Sequence, residues 1–391
     1  MPTSEPTSTP TPAPVLAGID VLLHDRRGVL AGQRVGLVTN ATGRTRDGQS
    51  TIDVLHAVTD WQLEALFSPE HGIRGEAAAG QSVDSSVDDT TGLPINSLYG
   101  NTTRPTDKML SGLDTLVYDI QDVGARTYTY ISTLLEVMKA GAARGIPVAV
   151  LDRPNPSSGE LVEGNVLDPR FASFVGPAPI AMRYGMTVGE LAQWFNAELA
   201  VGADLTVVPM SGWRRSMWFD QTGLGWVNPS PNLRSLGAAT LYPGTVLFEG
   251  TNLSEGRGTL RPFEWIGAPW MDASAWSDAL NAAGVPGARF AAADRTPDSS
   301  KFAGQVCHGV AIEIVERERV QPMALGVTMI ASARAIAGSQ LQLNGATFDG
   351  FAGTDSVRKA IDARRPADEI ITSWRPELDR FKTQRGRYLL Y

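Results

Sequence analysis

Residues 115–151 read TLVYDIQDVGARTYTYISTLLEVMKAGAARGIPVAVL, and this stretch determines the fold class. It begins with one short apolar run, Thr115–Asp119, and ends with another, Pro147–Leu151. Between them, Tyr130–Arg144 repeats its apolar residues at the spacing of an amphipathic helix and stops before Gly145, a residue that commonly ends helices. A strand, a helix and a second strand in this order are typical of a parallel βαβ unit.

The same alternation continues on both sides of this unit. Apolar runs predict further strands at Arg34–Thr39, Leu63–Ser68 and Leu205–Val208, and helical spacing predicts helices at Ile52–Val58 and Val188–Leu199. The first four strand candidates along the chain are almost uninterrupted apolar runs, which is typical of strands covered on both faces. We therefore predict an α/β fold with a Rossmann-like, doubly wound and mainly parallel sheet.

The second half of the chain has a different pattern. Residues 213–269 are rich in Gly, Pro, Asn and Trp, which predicts long ordered loops. A smaller α+β domain is then predicted from helical spacing at Ala273–Ala283, Ala324–Ala337 and Arg358–Ile371 and a strand at Val310–Val315. Since 391 residues exceed one ordinary core, we expect two domains. Their predicted bounds are a disordered Ser/Thr/Pro tail at 1–15, a catalytic domain at 16–245 and a smaller domain at 246–391 that closes a cleft.

Composition excludes several classes of protein. The formal net charge of −8 and the lack of a Lys/Arg run argue against a nucleic-acid partner. No apolar run reaches the roughly 18–20 residues needed to span a bilayer, so no membrane insertion is expected. The single cysteine, Cys307, cannot form an intramolecular disulfide, and we interpret it as a buried strand residue. Because the first residues lack the features of a secretory signal, we expect a cytoplasmic location, with export of a longer precursor left open.

Polar side chains follow four of the predicted strands at their carboxyl ends. In an open parallel sheet, ligands bind at the edge where these ends and their loops meet. Turn formation explains asparagine or glycine in such loops, but explains less well a glutamate and a histidine between Pro69 and Gly72. We therefore predict one ligand-binding edge, to which the following residues contribute: Asn40, Glu70, His71, Asp122, Arg126, Asp152, Arg153 and Asn155.

Glu70 is the strongest candidate for a general acid. It lies on a short loop at the end of a buried strand, where partial loss of water favours the neutral carboxylic acid that proton donation requires. His71 either tunes this group or only caps the turn. Arg126 and Arg153 could each bind a carboxylate with two hydrogen bonds, or could form internal ion pairs with nearby aspartates.

Residues 248–259, FEGTNLSEGRGT, form a second polar cluster. Its glycines allow a ligand to approach the backbone closely, and Glu249, Glu255 and Arg257 supply charge. The segment lacks the glycine spacing of nucleotide-binding loops, and the chain contains no HExxH, CxxC or GxSxG motif. We therefore expect no metal and no cofactor. Hydrolysis by paired carboxyl groups, which is the chemistry of glycosidases, remains.

Several of these stretches resemble the exo-β-N-acetylmuramidase family. The resemblance runs from about residue 17 to the last residue and rests on long, unusual motifs. These are SPEHGIRG at 68–75, DIQDVGARTYTYI at 119–131, LDRPNP at 151–156, RYGMTVGEL at 183–191, SPNL at 230–233, YPGTVLFEGTNLSEGRGTLRPFEWIGAP at 242–269, CHGV at 307–310 and RFKTQRGRYLLY at 380–391.

The resemblance implies a Rossmann-like N-terminal domain, a smaller C-terminal domain and an active site in the cleft between them. It also implies release of terminal N-acetylmuramic acid from short peptidoglycan glycans. Glu70 stands at the glutamate of the first motif, and Glu249, Asn252, Glu255 and Arg257 would lie on the cleft wall. The candidate catalytic residues are therefore Glu70, His71, Asp122, Glu249 and Glu255. The candidate substrate-binding residues are Asn40, Arg126, Asp152, Arg153, Asn155, Tyr184, Asn252 and Arg257.

This substrate gives the arginines a role. Muramic acid carries a lactyl carboxylate that its partner sugar lacks, so Arg126, Arg153 or Arg257 could select it through a charge-assisted pair. The second catalytic group, for which Glu249, Glu255 and Asp122 are candidates, either activates water, attacks the anomeric carbon or orients the 2-acetamido group. Two alternatives remain open: a non-catalytic protein that binds cell-wall sugars, and a hydrolase of another substrate class that uses the same cleft. The sequence gives no indication of oligomeric state.

Overall fold

A computed structural model describes residues 14–73 and 86–391. Most of the predicted disordered tail, residues 1–13, lies outside the described residues, and so do residues 74–85, which include the end of the SPEHGIRG motif. Within the described ranges, no helix is both long and apolar enough to cross a membrane.

The described residues form twelve strands and twelve α-helices. The strands are Arg34–Thr39 (β1), Gln62–Ser68 (β2), Ser86–Val87 (β3), Pro94–Ser97 (β4), Thr115–Asp119 (β5), Val148–Leu151 (β6), Glu163–Val166 (β7), Ala181–Arg183 (β8), Leu205–Val208 (β9), Trp265–Ala268 (β10), Ala288–Arg295 (β11) and Cys307–Ile314 (β12). The helices are Gly18–Asp25 (α1), Thr51–Ala57 (α2), Asp107–Leu110 (α3), Tyr130–Arg144 (α4), Val188–Glu198 (α5), Leu236–Thr245 (α6), Ala273–Ala282 (α7), Pro322–Ala337 (α8), Gly345–Ala352 (α9), Ser356–Asp362 (α10), Ala367–Thr372 (α11) and Arg375–Arg385 (α12).

Seven strands form one sheet in the order β3-β4-β2-β1-β5-β6-β9. All neighbouring pairs are parallel except β3 and β4. β1 lies between β2 and β5, so the chain builds the sheet outward from β1 in both directions. The crevice between the carboxyl ends of β1 and β5 is therefore the topological switch point, where ligands bind in most folds of this kind.

Helices cover both faces of this sheet, which confirms the predicted doubly wound fold. Along β1, Leu37 is buried together with residues of α1 and α2, whereas its neighbour Val38 is buried together with residues of α4 and α5. β5 repeats the alternation with Val117 and Tyr118. Successive side chains of a strand point to opposite faces, so continuous apolar runs fit strands that are covered twice.

A smaller unit follows, built on the antiparallel sheet β10-β12-β11. Helix α7 packs on β11, and α8 packs on α7 and α6. The apolar core continues without a break from the α4 and α5 face of the large sheet into this unit. Glu163 of β7 strengthens the junction, because its carboxylate accepts hydrogen bonds from the Met323 and Ala324 N–H groups at the start of α8, at 3.0 and 2.8 Å.

Two secondary-structure predictions are wrong. Residues 213–269 are not only loops, because they contain α6 and β10; α6 is buried almost all round, so it lacks the amphipathic spacing that indicates a helix. The predicted helix at Arg358–Ile371 is divided into α10 and α11. Arg364 adopts a left-handed φ of 55°, and Pro366 follows it, so a continuous helix cannot pass through this point.

The last residues of the described chain pack back against the parallel sheet. The Tyr391 hydroxyl donates to Asp152 Oδ2 at 2.7 Å and accepts from the Met210 N–H at 2.7 Å. The Tyr391 ring meets Trp213 edge-on, with the ring centroids 5.0 Å apart. Residues that the sequence assigns to the smaller domain therefore hold the larger one as well.

Replacing Tyr391 with phenylalanine should lower the free energy of unfolding by about 1–3 kcal/mol, because the Met210 N–H loses its partner and the buried Asp152 carboxylate loses one of its donors. Denaturant-induced unfolding measures this change. The matched control is Tyr388→Phe, which removes a hydroxyl that donates to Glu198 at 2.7 Å. Glu198 is half-buried, so water can replace the lost hydroxyl group and the free energy of unfolding should change less. Equal losses in the two variants would contradict the proposed anchoring.

Candidate active site

A cleft of about 590 Å³ lies where the carboxyl end of β2 faces the glycine-rich segment at 248–259. Two residues of the first predicted polar cluster, Glu70 and His71, therefore share one cleft with residues of the second. The lining residues are Glu70, His71, Tyr99, Thr127, Tyr128, Thr129, Val175, Ser230, Asn232, Leu233, Tyr242, Glu249, Glu255, Arg257, Gly258, Phe263, Ser299, Ser300, Lys301 and Phe351. Five of them were predicted as site residues: Glu70, His71, Glu249, Glu255 and Arg257.

A tight turn after β2 presents Glu70 to the cleft. The Gly72 N–H donates to the Pro69 carbonyl at 3.1 Å, so Glu70 and His71 are the two central residues of the turn. His71 has a φ of 73°, a left-handed conformation that glycine or asparagine usually fills at this turn position. A non-glycine residue held in this region is a mark of functional sites. The His71 ring packs edge-on against Tyr130, with the centroids 6.5 Å apart.

Hydroxyl groups surround the carboxylate of Glu70. The Thr129 hydroxyl donates to Glu70 Oε2 at 2.5 Å, and the Tyr99 hydroxyl also forms a hydrogen bond with this side chain. Burial, together with the neighbouring Glu70 carboxylate, raises the pKa of Tyr99 above its usual value, so Tyr99 keeps its proton and acts as a donor. Glu70 is only 7% exposed and yet reaches the cleft.

Charged side chains of alternating sign form the opposite wall. Arg257 Nη2 donates to Glu249 Oε1 at 2.8 Å, and Arg257 Nε lies 3.3 Å from Glu255 Oε1. Glu255 Oε2 in turn lies 3.0 Å from Lys301 Nζ. Glu255 is therefore held between two cations, which suits a structural role. Glu249 has one cationic neighbour in ion-pair contact within the described chain.

Glu249 combines access to the cleft with a perturbed acidity. Its side chain is 25% exposed. Burial raises the pKa of Glu249 above its usual value, although the positive charge of Arg257 opposes this effect. A carboxyl group that retains its proton closer to neutral pH suits general acid catalysis.

Aromatic rings form a continuous surface between the two walls. Tyr128 packs edge-on against Tyr130 at 4.8 Å and against Tyr242 at 5.5 Å, and Tyr242 packs against Phe263 at 5.0 Å. The Arg257 guanidinium lies 5.1 Å from the centroid of the Phe263 ring. Such a surface offers apolar contact to the faces of sugar rings, while its hydroxyl groups remain available for hydrogen bonds.

The residues predicted after β1 and β6 do not line this cleft. Arg153 instead lies at the carboxyl end of β5, in the switch-point crevice. Arg153 forms a two-point ion pair with Asp119 at 2.6 and 2.7 Å, and the Thr51 hydroxyl donates to the same carboxylate at 2.5 Å. Only about 20 Å³ of open space remains beside Arg153. The guanidinium of Arg153 therefore neutralises a buried aspartate, one of the two roles left open for it by the sequence, and its role in ligand binding stays a prediction.

Arg126, Asp122 and Tyr184 are also placed inside the protein. Arg126 is fully buried and donates to the carbonyls of Asn165 at 2.8 Å and Ala352 at 2.8 Å. Asp122 accepts hydrogen bonds from the Tyr184 hydroxyl and from the backbone of its own loop. None of the three lines the cleft, and the catalytic role of Asp122 and the ligand contacts of Arg126 and Tyr184 stay predictions.

The remaining predicted residues shape backbone turns. Asn40 accepts from the Thr42 N–H and hydroxyl at 2.9 and 2.6 Å. Asp152 caps α5 by accepting from Thr187 and Gly189, and Asn155 donates to the Met186 carbonyl at 2.9 Å. Asn252 makes two hydrogen bonds of 2.8 Å to the backbone at 340 and 342. None of these residues lines the cleft, and their substrate contacts stay predictions.

Sequence reasoning missed several residues of the cleft. Thr129 and Tyr128 lie in the motif at 119–131, and Ser230 lies in SPNL at 230–233. The motifs therefore indicated these segments of the chain, but not which of their side chains line the cleft. Tyr99 and Lys301 lie outside every quoted motif.

Within residues 14–73 and 86–391, the side chains form no group of three or more His, Cys, Asp or Glu suited to a metal ion.

The fold, the carboxyl groups in the cleft and the comparisons with known proteins define the class: an α/β glycoside hydrolase. The chain belongs to the exo-beta-N-acetylmuramidase NamZ family, whose N-terminal model matches residues 35–237 and whose C-terminal model matches residues 240–391. It is 45% identical over 378 residues to the peptidoglycan beta-N-acetylmuramidase NamZ of Bacillus subtilis (strain 168), covering 96% of this chain and 91% of that protein.

Two crystal structures of DUF1343 family proteins from Bacteroides fragilis NCTC 9343 share the fold. One has a TM-score of 0.91 and 35% sequence identity, covering 96% of this chain and 99% of the other. The second has a TM-score of 0.79 and 32% identity, covering 97% and 99%. The junction between the two family matches, at residues 237–240, falls within α6.

Asp122 gives a test of the electrostatics behind the cleft. Burial raises the pKa of Asp122 to about 6, from 3.8 in the absence of the fold. Between pH 4 and 6 the native state therefore holds a proton that the unfolded state has released. The contribution of Asp122 to the free energy of unfolding is fully present below pH 4 and is lost as the pH rises through 6. The free energy of unfolding should fall by about 3 kcal/mol over this range.

Asp122→Asn should remove that part of the pH dependence, so its unfolding free energy should fall less than that of the wild type between pH 4 and 6. Chemical denaturation at several pH values measures this. Asp114→Asn is the control, because its surface pair with Arg34 lowers the pKa of Asp114 to about 2, outside the window. An unchanged slope in Asp122→Asn would show that this carboxyl group stays ionised.

Proposed function

We propose that the protein hydrolyses the glycosidic bond of a terminal N-acetylmuramic acid at the non-reducing end of peptidoglycan fragments. The observation that carries this proposal is the pairing, in one cleft, of the Glu70 turn with the Glu249 segment across an aromatic surface. Glycosidases use two carboxyl groups that flank the bond to be cleaved. The Bacillus subtilis relative, a peptidoglycan beta-N-acetylmuramidase, supports the same substrate class.

The contacts in the cleft favour a division of labour between the two carboxyl groups. The sequence predicts Glu70 as the general acid, with Glu249, Glu255 or Asp122 as its partner. The Thr129 and Tyr99 hydroxyl groups form hydrogen bonds with Glu70 and hold its carboxyl group in place at the cleft. Burial raises the pKa of Glu249, which favours its neutral form. We therefore assign the proton donor to Glu249 and the carboxylate that acts at the sugar to Glu70.

Glu70→Gln and Glu249→Gln should both fold and should both lose about 10²- to 10⁴-fold of the turnover of a natural muramyl disaccharide. A 4-nitrophenyl N-acetylmuramide separates the roles, because its leaving group departs without protonation. Glu249→Gln should recover most of its rate on this substrate, whereas Glu70→Gln should not. The reverse pattern would restore the predicted acid role of Glu70.

Glu160→Gln serves as the control for the two variants, since Glu160 is exposed and does not line the cleft. Binding of the disaccharide by the wild type without cleavage would favour the non-catalytic sugar-binding protein. Neither binding nor cleavage would favour a hydrolase of another substrate class.

Arg257 is the residue proposed to select muramic acid. Of the three arginines that the sequence nominates for the lactyl carboxylate, Arg257 is the one that lines the cleft. Its guanidinium lies against Phe263 and is 18% exposed, so it can meet an anionic group in a partly dry environment. A charge-assisted hydrogen bond is stronger in such a place than in water.

Arg257→Met should lower the preference for N-acetylmuramide over N-acetylglucosaminide by roughly 10- to 100-fold. The ratio of kcat/KM for the two nitrophenyl sugars measures this preference, and it cancels any general loss from the disturbed pair with Glu249. Arg261→Met is the matched control, because Arg261 is exposed and pairs with Glu264 away from the lining residues. An unchanged ratio would remove Arg257 from substrate selection.

A further inference from the structure

The loop between β11 and β12 enters the cleft and docks on the glycine-rich segment. Ser299, Ser300 and Lys301 of this loop line the cleft. The Asp298 N–H donates to the Gly258 carbonyl at 2.8 Å. A Cβ atom at Gly258 would lie 2.4 Å from the Ser299 carbonyl oxygen, so a glycine is required where the two backbones meet.

The backbone on both sides of Lys301 adopts conformations that cost free energy. Ser300 has a φ of 64° and Phe302 a φ of 60°, and both are non-glycine residues in the left-handed region. Such conformations persist where the surrounding structure fixes them, and they concentrate at functional sites. The loop is therefore shaped to deliver the side chain between them.

Lys301 ties together the segment that carries the second wall. Its Nζ donates to the Phe248 carbonyl at 2.8 Å and to the Leu253 carbonyl at 3.0 Å, and it lies 3.4 Å from the Glu249 carbonyl. The same ammonium group contacts Glu255 Oε2 at 3.0 Å. One cation thus fixes the backbone on both sides of Glu249.

The contacts of Lys301 also continue through side chains to the cleft. Lys301 holds one oxygen of Glu255, the other oxygen faces Arg257 Nε, and Arg257 Nη2 holds Glu249. Without Lys301, the only ion-pair partner left to Glu255 within the described residues would be Arg257. Arg257 would then be drawn toward Glu255 and away from Glu249.

We propose that Lys301 is a positioning residue for catalysis, which fixes the turn that carries Glu249 and, through Glu255, the guanidinium of Arg257. This proposal rests on the proposed function, because it assumes that Glu249 acts on the glycosidic bond. It assigns no direct contact between Lys301 and the substrate. It extends the working site to a loop that shares no motif with either wall.

The test compares Lys301→Met with Lys301→Arg and with the control Lys359→Met, whose lysine is 65% exposed and pairs with Asp355 on the surface. Lys301→Met should lower kcat on the muramyl disaccharide about tenfold or more and change KM less, because positioning acts mainly in the transition state. Lys359→Met should behave like the wild type. Lys301→Arg keeps the charge but cannot reproduce the set of carbonyl contacts, so its kcat should fall in between.

A second measurement does not depend on turnover. The titration of Glu249 is followed by ¹³C NMR of protein labelled at glutamate carboxyl groups, with the signal assigned by its loss in Glu249→Gln. Lys301→Met removes a positive charge that lowers the pKa of Glu249, so its midpoint should move to higher pH. Lys301→Arg should keep the wild-type midpoint and also covers the case in which Lys301→Met does not fold.

The two proposals fail in different ways. A wild type that cleaves no muramide would overturn the proposed function, and with it the catalytic part of this inference. A wild type that cleaves the muramide, together with a Lys301→Met variant that matches it in kcat and in the Glu249 midpoint, would overturn the role of Lys301 alone.

Discussion

A buried ion pair closes the crevice in which folds of this type usually bind their ligands. Asp119 ends β5, Arg153 follows β6, and the two side chains meet with two short contacts between the carboxyl ends of neighbouring strands. Arg153 is 5% exposed and Asp119 is not exposed at all, so neither charge could remain there without the other. The ion pair therefore occupies the switch point, and the reacting groups that we propose lie in another cleft.

The cleft of the proposed site lies where the carboxyl end of β2 faces the smaller unit. The two walls of this cleft belong to the parallel-sheet part and to the smaller unit. Several contacts outside the cleft hold these two parts together. Arg126 is anchored on the carbonyls of Phe351 and Ala352, Glu163 caps α8, and Tyr391 reaches back to Asp152. The two carboxyl groups on opposite walls consequently belong to one continuous core. Two of these residues, Arg126 and Asp152, were predicted as ligand contacts, and in the structure they hold the two parts of the protein together.

The strands and the central helix were predictable because their signals are local. β1, β5 and α4 have the predicted bounds, since a short apolar run or a helical stripe that ends at Gly145 specifies its own conformation. The turn at Glu70 was predictable for a similar reason, because a glutamate and a histidine between a proline and a glycine have few structural explanations. The smaller unit was harder, since α6 is buried all round and shows little periodicity.

The partners of individual polar side chains were not predictable in the same way. Asp152 and Arg153 are adjacent in sequence, and both are polar residues at a strand end, but one caps α5 and the other neutralises Asp119. Sequence shows that a polar group is present at such a place, not where it points. Lys301 is the opposite case: it lies 46 residues from Glu255 with no motif around it, and only the folded chain brings the two together.

The two walls give chemically similar side chains different environments, and this difference is what the cleft can use. Glu70 lies on a turn between hydroxyl donors, whereas Glu249 lies at the end of a chain of alternating charges whose cations are partly buried. The surroundings of a carboxyl group set its pKa, so different surroundings can give the two groups different pKa values. Burial raises the pKa of Glu249, and under the proposed assignment this group donates the proton while Glu70 acts at the sugar. Because each environment is built by a different part of the chain, the asymmetry of the carboxyl pair follows from the two-part architecture itself.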